Sequence, residues 1–214
     1  MKGEIENITD KIRIIKADCL DVIKELQDQC FELAIIDPPY WPDNECVGSI
    51  RTTGNVQEKL ALGGQPTDEF WSELKRVSKH QIVFGANNFG IPFKGFIVWD
   101  KTNIPDEFTL SKCEIASVSE GLSKVAKMYR CSSAARGGEK RFHPTSKPVE
   151  LYEWILMKYA EEGWKILDTH LGSGSSAIAA HELGFEFLGI EIDDNYYNKT
   201  KKRLYNHVSQ LKLF

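Results

Sequence analysis

The stretch ILDTHLGSGSSAIAAHELGFEFLGIEID, residues 166–193, decides the fold of this chain. One apolar run ends at Asp168, a glycine-rich turn and an alanine-rich segment follow, and a second apolar run ends at Glu191. The pattern predicts a strand, a turn, a helix and a second strand. Nucleotide-binding α/β proteins use this order of elements, and the glycines of the turn let the backbone approach a ligand closely. A carboxylate at the end of the second strand suits a ribose, since it can accept hydrogen bonds from both hydroxyl groups.

Taken alone, this segment leaves two alternatives open. GSGSSA also satisfies the GxGxxA pattern of dinucleotide-binding oxidoreductases, and a glycine turn can exist without any ligand. His170 lies inside the turn, and we interpret it as a packed or hydrogen-bonded side chain rather than a catalyst.

The rest of the chain repeats the alternation of strands and helices. Several strands are uniformly apolar, which is typical of a mainly parallel sheet covered by helices on both faces. We expect residues 1–214 to form a single domain, with an active-site loop at 42–66. Strands are predicted at 12–17, 31–37, 81–86, 95–100, 113–119, 165–170 and 185–192, and helices at 19–26, 68–78, 175–184 and from 148 and 194 onward.

Composition excludes several classes of protein. No apolar run approaches the ~20 residues that span a bilayer, and the first residues contain no apolar leader segment. The five cysteines are odd in number and form no CxxC pair, which favours reduced thiols in the cytoplasm over a disulfide framework or a zinc site.

Positive charge is concentrated in one segment of an acidic chain. The formal net charge is −4, yet residues 121–148 hold seven basic side chains and one acidic one. Polyanions respond to local potential, so this segment is a candidate phosphate-binding strip, although a solvated surface loop would look similar. The predicted nucleic-acid contacts are Lys124, Lys127, Arg130, Arg136, Lys140 and Arg141.

A second chemical feature is the corner AIIDPPYWP, residues 34–42. The two prolines stiffen the turn, and their carbonyl groups accept hydrogen bonds without a neighbouring N–H donor. Asp37 adds another acceptor and Tyr40 an aromatic face. Two acceptors beside a ring suit a planar heterocycle with an exocyclic amino group, because they favour the positive charge that develops when the nitrogen attacks. A plain Pro-Pro turn is the alternative.

Five motifs together resemble the S-adenosylmethionine-dependent amino-methyltransferases of DNA, which modify adenine N6 or cytosine N4. DPPY at 37–40 matches the family's catalytic motif, and DTHLGSGSS at 168–176 is similar to its cofactor loop. The other three are KADCLDVIKEL at 16–26, HPTSKPVELYEW at 143–154 and GIEIDDNYYNKTKKRL at 189–204. A hydride-transfer enzyme has no need of DPPY, so the resemblance disfavours an oxidoreductase.

The resemblance implies a fold and a set of site residues. Because the catalytic motif precedes the glycine loop, it implies the permuted β group, seen in bacterial and phage enzymes, on a Rossmann-like, class I methyltransferase sheet of seven mostly parallel strands. The implied catalytic residues are Asp37, Pro38, Pro39 and Tyr40. The implied contacts to S-adenosylmethionine are Asp18, Cys19, Asp37, Thr145, Lys147, Asp168, Thr169, Leu171, Gly172, Ser173, Gly174, Ser175, Ser176, Glu191 and Ile192.

The expected reaction is methylation of a flipped adenine, stacked on Tyr40 and also on Phe89, in double-stranded DNA and without a metal ion. Asp at the first DPPY position is the residue found in the adenine enzymes. Three alternatives remain open: methylation of cytosine N4, a substrate that is RNA or a free nucleotide, and a non-catalytic subunit that binds nucleic acid. The family's DPF is replaced by Thr169 and His170 before Leu171, so cofactor stacking can differ. The target-recognition segment at 102–142 is short, which leaves recognition to the basic strip, the 42–66 loop or a second subunit in a homodimer.

Overall fold

The computed structural model describes residues 3–40, 64–108, 111–134, 142–143 and 145–210. Nine strands run through these ranges: β1 (Glu4–Asn7), β2 (Ile12–Lys16), β3 (Phe31–Ile36), β4 (Ser78–Phe84), β5 (Gly95–Lys101), β6 (Cys113–Val118), β7 (Lys127–Cys131), β8 (Lys165–Asp168) and β9 (Glu186–Glu191). The helices are α1 (Cys19–Glu25), α2 (Asp68–Val77), α3 (Val149–Tyr159), α4 (Ser175–Glu182) and α5 (Asp194–Ser209).

All nine strands form one sheet in the order β1-β2-β9-β8-β3-β4-β6-β5-β7. The five neighbouring strands β2, β9, β8, β3 and β4 are parallel to one another. β6 lies between β4 and β5 and is antiparallel to both. The predicted Rossmann-like class I fold, with its mostly parallel sheet, is confirmed. The chain order is permuted, because β8 and β9, which carry the glycine loop, enter the middle of the sheet last.

The sheet has two strands more than the seven expected. β1 pairs antiparallel with β2, and β7 pairs parallel with β5, so each occupies an outer edge. Their sequences, EIEN and KMYRC, are mostly exposed and contain no apolar run. Edge strands need only one buried side or none, so hydrophobic pattern does not reveal them.

Helices cover both faces of the sheet, as predicted. Along β3 the side chains alternate: Leu33 and Ile35 pack on the side of α3, α4 and α5, and Ala34 and Ile36 on the side of α1 and α2. The continuous apolar run of this strand therefore follows from burial on both sides. Among the described helices, none has both the length and the apolar composition that crossing a membrane would require.

The connections leave a crevice at one edge of the sheet. β8 and β3 are parallel neighbours, but the chain leaves β8 toward β9 on one side and leaves β3 toward β4 on the other. Such a change of direction is where open α/β sheets bind ligands, beyond the carboxyl ends of the strands.

Candidate active site

A cleft of about 520 Å³ opens at this point. This size is within the range of small-molecule sites. The turns after β2, β3, β8 and β9 supply most of its wall. The predicted residues that line it are Asp18, Cys19, Asp37, Pro38, Pro39, Tyr40, Thr145, Lys147, Thr169, Leu171, Gly172, Ser173, Glu191 and Ile192.

Asp37 follows β3 and accepts two hydrogen bonds through different oxygens. Tyr40 donates its hydroxyl to Oδ1 at 2.6 Å, and the ammonium of Lys147 donates to Oδ2. Burial raises the pKa of Asp37, and the positive charge of Lys147 opposes that rise. The DPPY corner and the HPTSKP segment, more than a hundred residues apart in sequence, thus meet at one carboxylate.

Lys147 is the centre of a buried charge network that also contains Glu114 and Lys101. Nζ of Lys147 lies 3.2 Å from Oε2 of Glu114, and Nζ of Lys101 lies 2.6 Å from Oε1 of the same carboxylate. Burial lowers the pKa of Lys147, but Asp37 and Glu114 more than offset it, so the net shift is upward. Although burial raises the pKa of Glu114, the two lysines lower it overall. We therefore treat Lys147 as a cation and Glu114 as an anion.

Tyr40 is supported by the segment after β4. Gly85 has φ +66°, and a Cβ placed there would lie 2.2 Å from Cε1 of Tyr40. Phe89 meets the Tyr40 ring edge-on, with centroids 6.1 Å apart, and Gln65 donates to the Tyr40 carbonyl at 2.5 Å. Phe89 packs behind Tyr40 and is not among the cleft-lining residues. The bare backbone at Gly85 therefore determines where the aromatic face can lie.

The glycine loop after β8 is held mainly by backbone contacts. Gly172 and Gly174 have φ +51° and φ +77°, a conformation that L side chains rarely adopt. Thr200 donates its hydroxyl to the carbonyl of Gly172 at 2.5 Å, and Arg203 donates to the carbonyl of Ser173 at 2.9 Å. Both come from α5, so the last helix fixes the loop in place.

Glu191 joins the loop to the end of β9. Its Oε2 accepts the N–H of Gly172 at 2.8 Å, and its Oε1 accepts the N–H of Asp193 at 2.9 Å. Burial raises its pKa, and these backbone N–H groups lower it. Each carboxylate oxygen has two acceptor positions, so both can still accept a hydroxyl group from the cleft.

Two neutral imidazoles line the same wall. His143 packs on Tyr196 at 4.3 Å between ring centroids, and His170 packs on Phe70 at 5.5 Å. Burial lowers the pKa of each histidine to about 4. His170 also exchanges a 2.8 Å hydrogen bond with the hydroxyl of Thr169. The prediction of a packed, hydrogen-bonded His170 agrees with this geometry, and the ring additionally faces the cleft.

Asp168, Gly174, Ser175 and Ser176 were expected to contact the cofactor, but the structure places them behind the cleft wall. Asp168 is 2% exposed, accepts the Ser176 hydroxyl at 2.5 Å and accepts the N–H of His170 at 2.9 Å. Burial raises its pKa to about 7, despite these two hydrogen bonds. These residues brace the loop because the strand end and the helix start lie beneath its surface.

Several lining residues carry no motif signal. Glu114 lies on β6 in the unremarkable run CEIASV, and only the insertion of β6 beside β4 brings it to the cleft. The sequence EID at 191–193 pointed to Glu191 but not to Asp193. The other lining residues, which were not predicted individually although several lie within the five motifs or the 42–66 loop, are Ala17, Leu20, Gly64, Gln65, Pro66, Thr67, Phe70, His143, Ser146, Tyr152, His170, Ile190 and Tyr196.

The predicted nucleic-acid contacts that fall within the described residues are not among those that line the cleft. Lys124, Lys127 and Arg130 are exposed, the latter two on edge strand β7, and Nε of Arg130 lies 2.8 Å from Asp100. Arg136, Lys140 and Arg141 fall outside the described residues, as do positions 42–63 of the expected active-site loop. Gly64, Gln65 and Pro66, the end of that loop, line the cleft.

No metal-ligating group is found where the structure describes the chain: nowhere in those ranges do three His, Cys, Asp or Glu side chains cluster closely enough. The expectation of a metal-free reaction stays a prediction. Burial raises the pKa of the Cys19 thiol to about 12, so this cleft residue is uncharged.

Comparisons with known proteins identify the class. A DNA methylase family model matches residues 98–202. The type II methyltransferase M2.DpnII of Streptococcus pneumoniae is 42% identical over 244 residues, which cover 91% of this chain and 90% of that protein. The chain therefore belongs to the S-adenosylmethionine-dependent DNA amino-methyltransferases.

Solved structures show the same fold. The M1.HpyAVI–SAM complex aligns with a TM-score of 0.61 at 23% identity, covering 89% of this chain and 98% of that one. The cytosine-N4-specific PvuII DNA methyltransferase aligns with a TM-score of 0.62 at 11% identity, covering 94% and 93%. Both similarities concern the fold alone.

The cofactor of the family is S-adenosylmethionine, and the chemistry and charge of the cleft-lining residues suit it. Glu191 offers acceptors for a ribose diol, and Ile192 is 66% exposed at the cleft, where an apolar face can cover a purine. Five acidic residues and one lysine line the described part of the wall. This excess of acidic groups favours a ligand that carries a positive sulfonium.

Proposed function

We propose that this protein is a DNA adenine-N6 methyltransferase. The observation that carries the proposal is the position of the DPPY corner: Asp37, Pro38 and Tyr40 line the same cleft as Glu191 and the glycine loop. An amine acceptor, an aromatic face and a nucleotide-binding wall are then within one cavity.

The proposed chemistry is attack by an exocyclic amine on an electrophilic methyl group. S-adenosylmethionine supplies that methyl group on a positively charged sulfur. The wall made by Asp18, the 169–173 loop and Glu191 would hold the cofactor, and Thr145 and Lys147 of the HPTSKP segment, which line the same cleft, would contribute to that wall. Fixing both reactants in one cavity can supply a large share of the rate acceleration.

On the substrate side, Asp37 and the Pro38 carbonyl accept hydrogen bonds from the two amino hydrogens. As the new N–C bond forms, positive charge develops on nitrogen, and the negative Asp37 stabilises it. The bond between the methyl group and sulfur would break as the N–C bond forms, which leaves a neutral thioether. The amino group would then lose one proton to water, directly or through Asp37, which restores the neutral base. A base stacked within a duplex cannot reach this cleft, so the target must flip out and stack on Tyr40.

The choice of adenine rests on the residue type at position 37. Asp at the first DPPY position resembles the adenine enzymes, while cytosine-N4 enzymes more often carry Ser. The fold does not discriminate, since a cytosine-N4-specific enzyme shares it. Cytosine N4 is therefore the alternative that the experiment must address.

The test is to incubate the protein with labelled cofactor and duplex DNA, digest the DNA and identify the methylated nucleoside by mass. We expect the methylated product to be N6-methyldeoxyadenosine. N4-methylcytosine as the sole product would overturn the base assignment. Absence of any methylated nucleoside on duplex DNA, together with transfer to RNA or to free nucleotides, would overturn the DNA substrate.

We also propose that the basic strip binds DNA phosphates. Lys124, Lys127 and Arg130 are exposed and lie at the β7 edge or just before it. Each phosphate contact releases counterions, so replacing Lys124 and Lys127 by Ala should lower the salt slope of DNA binding by roughly 2. An unchanged slope would contradict the assignment. Three further expectations stay predictions: that the substrate is double-stranded, that the protein forms a homodimer, and that it is located in the cytoplasm. Sedimentation with and without DNA would measure whether the protein is a dimer.

A further inference from the structure

Both oxygens of the acceptor that the substrate amine needs already accept a hydrogen bond. Tyr40 donates to one oxygen of Asp37 at 2.6 Å, and Lys147 donates to the other. This inference rests on the proposed function, in which Asp37 binds the amino group of the target base. Each oxygen keeps a second acceptor position, but the ammonium of Lys147 offsets the negative charge of Asp37, so Asp37 binds the developing cation more strongly when the bond from Lys147 weakens.

Lys147 cannot simply turn to water. Its side chain is 2% exposed, and its ammonium lies 4.5 Å from the centre of the Phe84 ring. Leaving a buried ammonium without an anion is strongly unfavourable, because the charge is neither hydrated nor neutralised. Any path away from Asp37 therefore needs a second carboxylate close by.

Glu114 offers that carboxylate in an incompletely bonded state. Its Oε1 is fixed by Lys101 at 2.6 Å. Its Oε2 is buried, lies 3.2 Å from Nζ of Lys147, and accepts no well-aligned hydrogen bond from any residue in the described ranges. Glu114 is thus anchored at one oxygen and open at the oxygen that faces Lys147.

We propose that Glu114 is a positioning residue for methyl transfer, which takes over the Lys147 ammonium while Asp37 binds the substrate amine. Hydrogen bonds are exchanged in this step, and no covalent bond or proton is transferred. The network keeps its charge throughout, because Lys147 stays paired with one carboxylate or the other. Lys101 keeps Glu114 in place to receive it.

The decisive variant is Glu114→Gln, assayed by single turnover with saturating cofactor. An amide binds an ammonium more weakly than a carboxylate, so Lys147 should remain on Asp37. We expect the transfer rate to fall about 10- to 100-fold, which corresponds to roughly 1.4–2.8 kcal/mol, while the cofactor dissociation constant stays within about threefold. Glu120→Gln is the matched control, since Glu120 is exposed just after the same strand and pairs with Lys94.

A transfer rate within about twofold of wild type would overturn the proposal, as would a loss that appears wholly in cofactor binding. If Glu114→Gln does not fold, Glu114→Asp withdraws the acceptor while keeping the charge, and the same selective loss of rate is expected. Equal loss of rate and cofactor affinity in that variant would indicate a purely structural role.

A second measurement separates this proposal from the proposed function. In a crystal structure of Asp37→Asn, we expect Nζ of Lys147 to move toward Glu114 and form an aligned hydrogen bond with Oε2. A Lys147 that stays at position 37 or turns to solvent would overturn the exchange, whatever the protein methylates. A wild-type protein that methylates no DNA would instead overturn the proposed function.

Discussion

The turns after β3 and β8 leave neighbouring parallel strands at the same edge of the sheet, but they are built from different contacts. The β3 turn carries Asp37, whose partners are the side chains of Tyr40 and Lys147. The β8 turn is held through backbone groups: the carbonyl of Gly172 binds Thr200, and its N–H binds Glu191.

The difference separates two tasks. Contacts between charged side chains can exchange partners with small movements, which suits a turn that must release one partner and bind an amine. Contacts to the backbone, at glycines with positive φ, fix a shape that few other residues can adopt. Under the proposed function, the β3 turn would serve the reaction and the β8 turn would hold the ligand.

The largest effect is expected from Asp37→Ala, which removes the charged acceptor from the β3 turn. Transfer should fall on the order of 10³-fold, the scale on which loss of one stabilising group acts in other enzymes. Cofactor affinity should change less than about fivefold, because the β8 turn is intact. Single-turnover kinetics and calorimetric titration measure the two quantities. Normal methylation by this variant would refute the role given to the corner.

Gly85→Ala tests the aromatic part of the β3 turn. The added Cβ would lie 2.2 Å from the Tyr40 ring, so Tyr40 must move. A displacement of about 1 Å can cost on the order of 10²-fold in rate, and we expect a loss of that size with cofactor binding largely retained.

Gly90→Ala is the matched control for Gly85→Ala. Gly90 has φ +63°, and an added Cβ there meets nothing within 4 Å. It therefore shares the backbone strain without the collision. Similar losses in both variants would mean that strain in this segment, rather than the position of Tyr40, determines the rate.

Glu191→Gln should produce the opposite selectivity. The amide keeps one acceptor oxygen and places an NH₂ group opposite a backbone N–H, either that of Gly172 or that of Asp193. Hydrogen bonds to charged groups are worth about 1.5–3 kcal/mol, so the cofactor dissociation constant should rise at least about tenfold. The rate at saturating cofactor should change little. Glu186→Gln, exposed on the same strand, is the control, and a loss confined to rate would contradict the division of tasks.

The smallest effect concerns stability rather than activity. The pKa of Asp168 is raised from 3.8 to about 7 in the folded protein, so the native state binds a proton that the unfolded chain has lost. The stability this contributes is present below about pH 4 and is lost as the pH rises toward 7; the total is about 4 kcal/mol at most. Asp168→Asn has no such dependence.

The measurement is urea unfolding of both proteins between pH 4.5 and 7.5. The wild type should lose stability relative to Asp168→Asn as the pH rises. His143 and His170 have lowered pKa values, about 4, and act in the opposite direction over the same range, so the comparison must be made between variants. A constant difference between the two proteins would show that Asp168 is ionised throughout.

Much of this organisation is predictable from local sequence. The glycines, the prolines and the ends of apolar runs placed Asp37, Gly172 and Glu191 at one edge of the sheet, because the carboxyl ends of parallel strands meet there. Repeated apolar runs also predicted which strands are covered on both faces.

The unpredicted features depend on tertiary contacts. Glu114 is an acidic residue in a short strand, where a solvent-facing position is the usual interpretation, and only the antiparallel insertion of β6 brings it beside Lys147. Gly85 carries no motif, and its importance follows from the ring that lies against it. Asp168 was placed in the correct turn but faces inward, and the depth of a side chain within a turn is not encoded in residue type.

The permuted order of the strands has a consequence for how the molecule forms. Asp37 and Lys147 are 110 positions apart, and β3 pairs with β8, which is made more than a hundred residues later. β2 and β3 are therefore synthesised well before β9 and β8, the strands that lie between them in the sheet. Contacts between residues so far apart in sequence slow folding. The cleft takes residues from the turns after β2 and β3 and from those after β8 and β9, so its wall is assembled only when the last strands have joined the sheet.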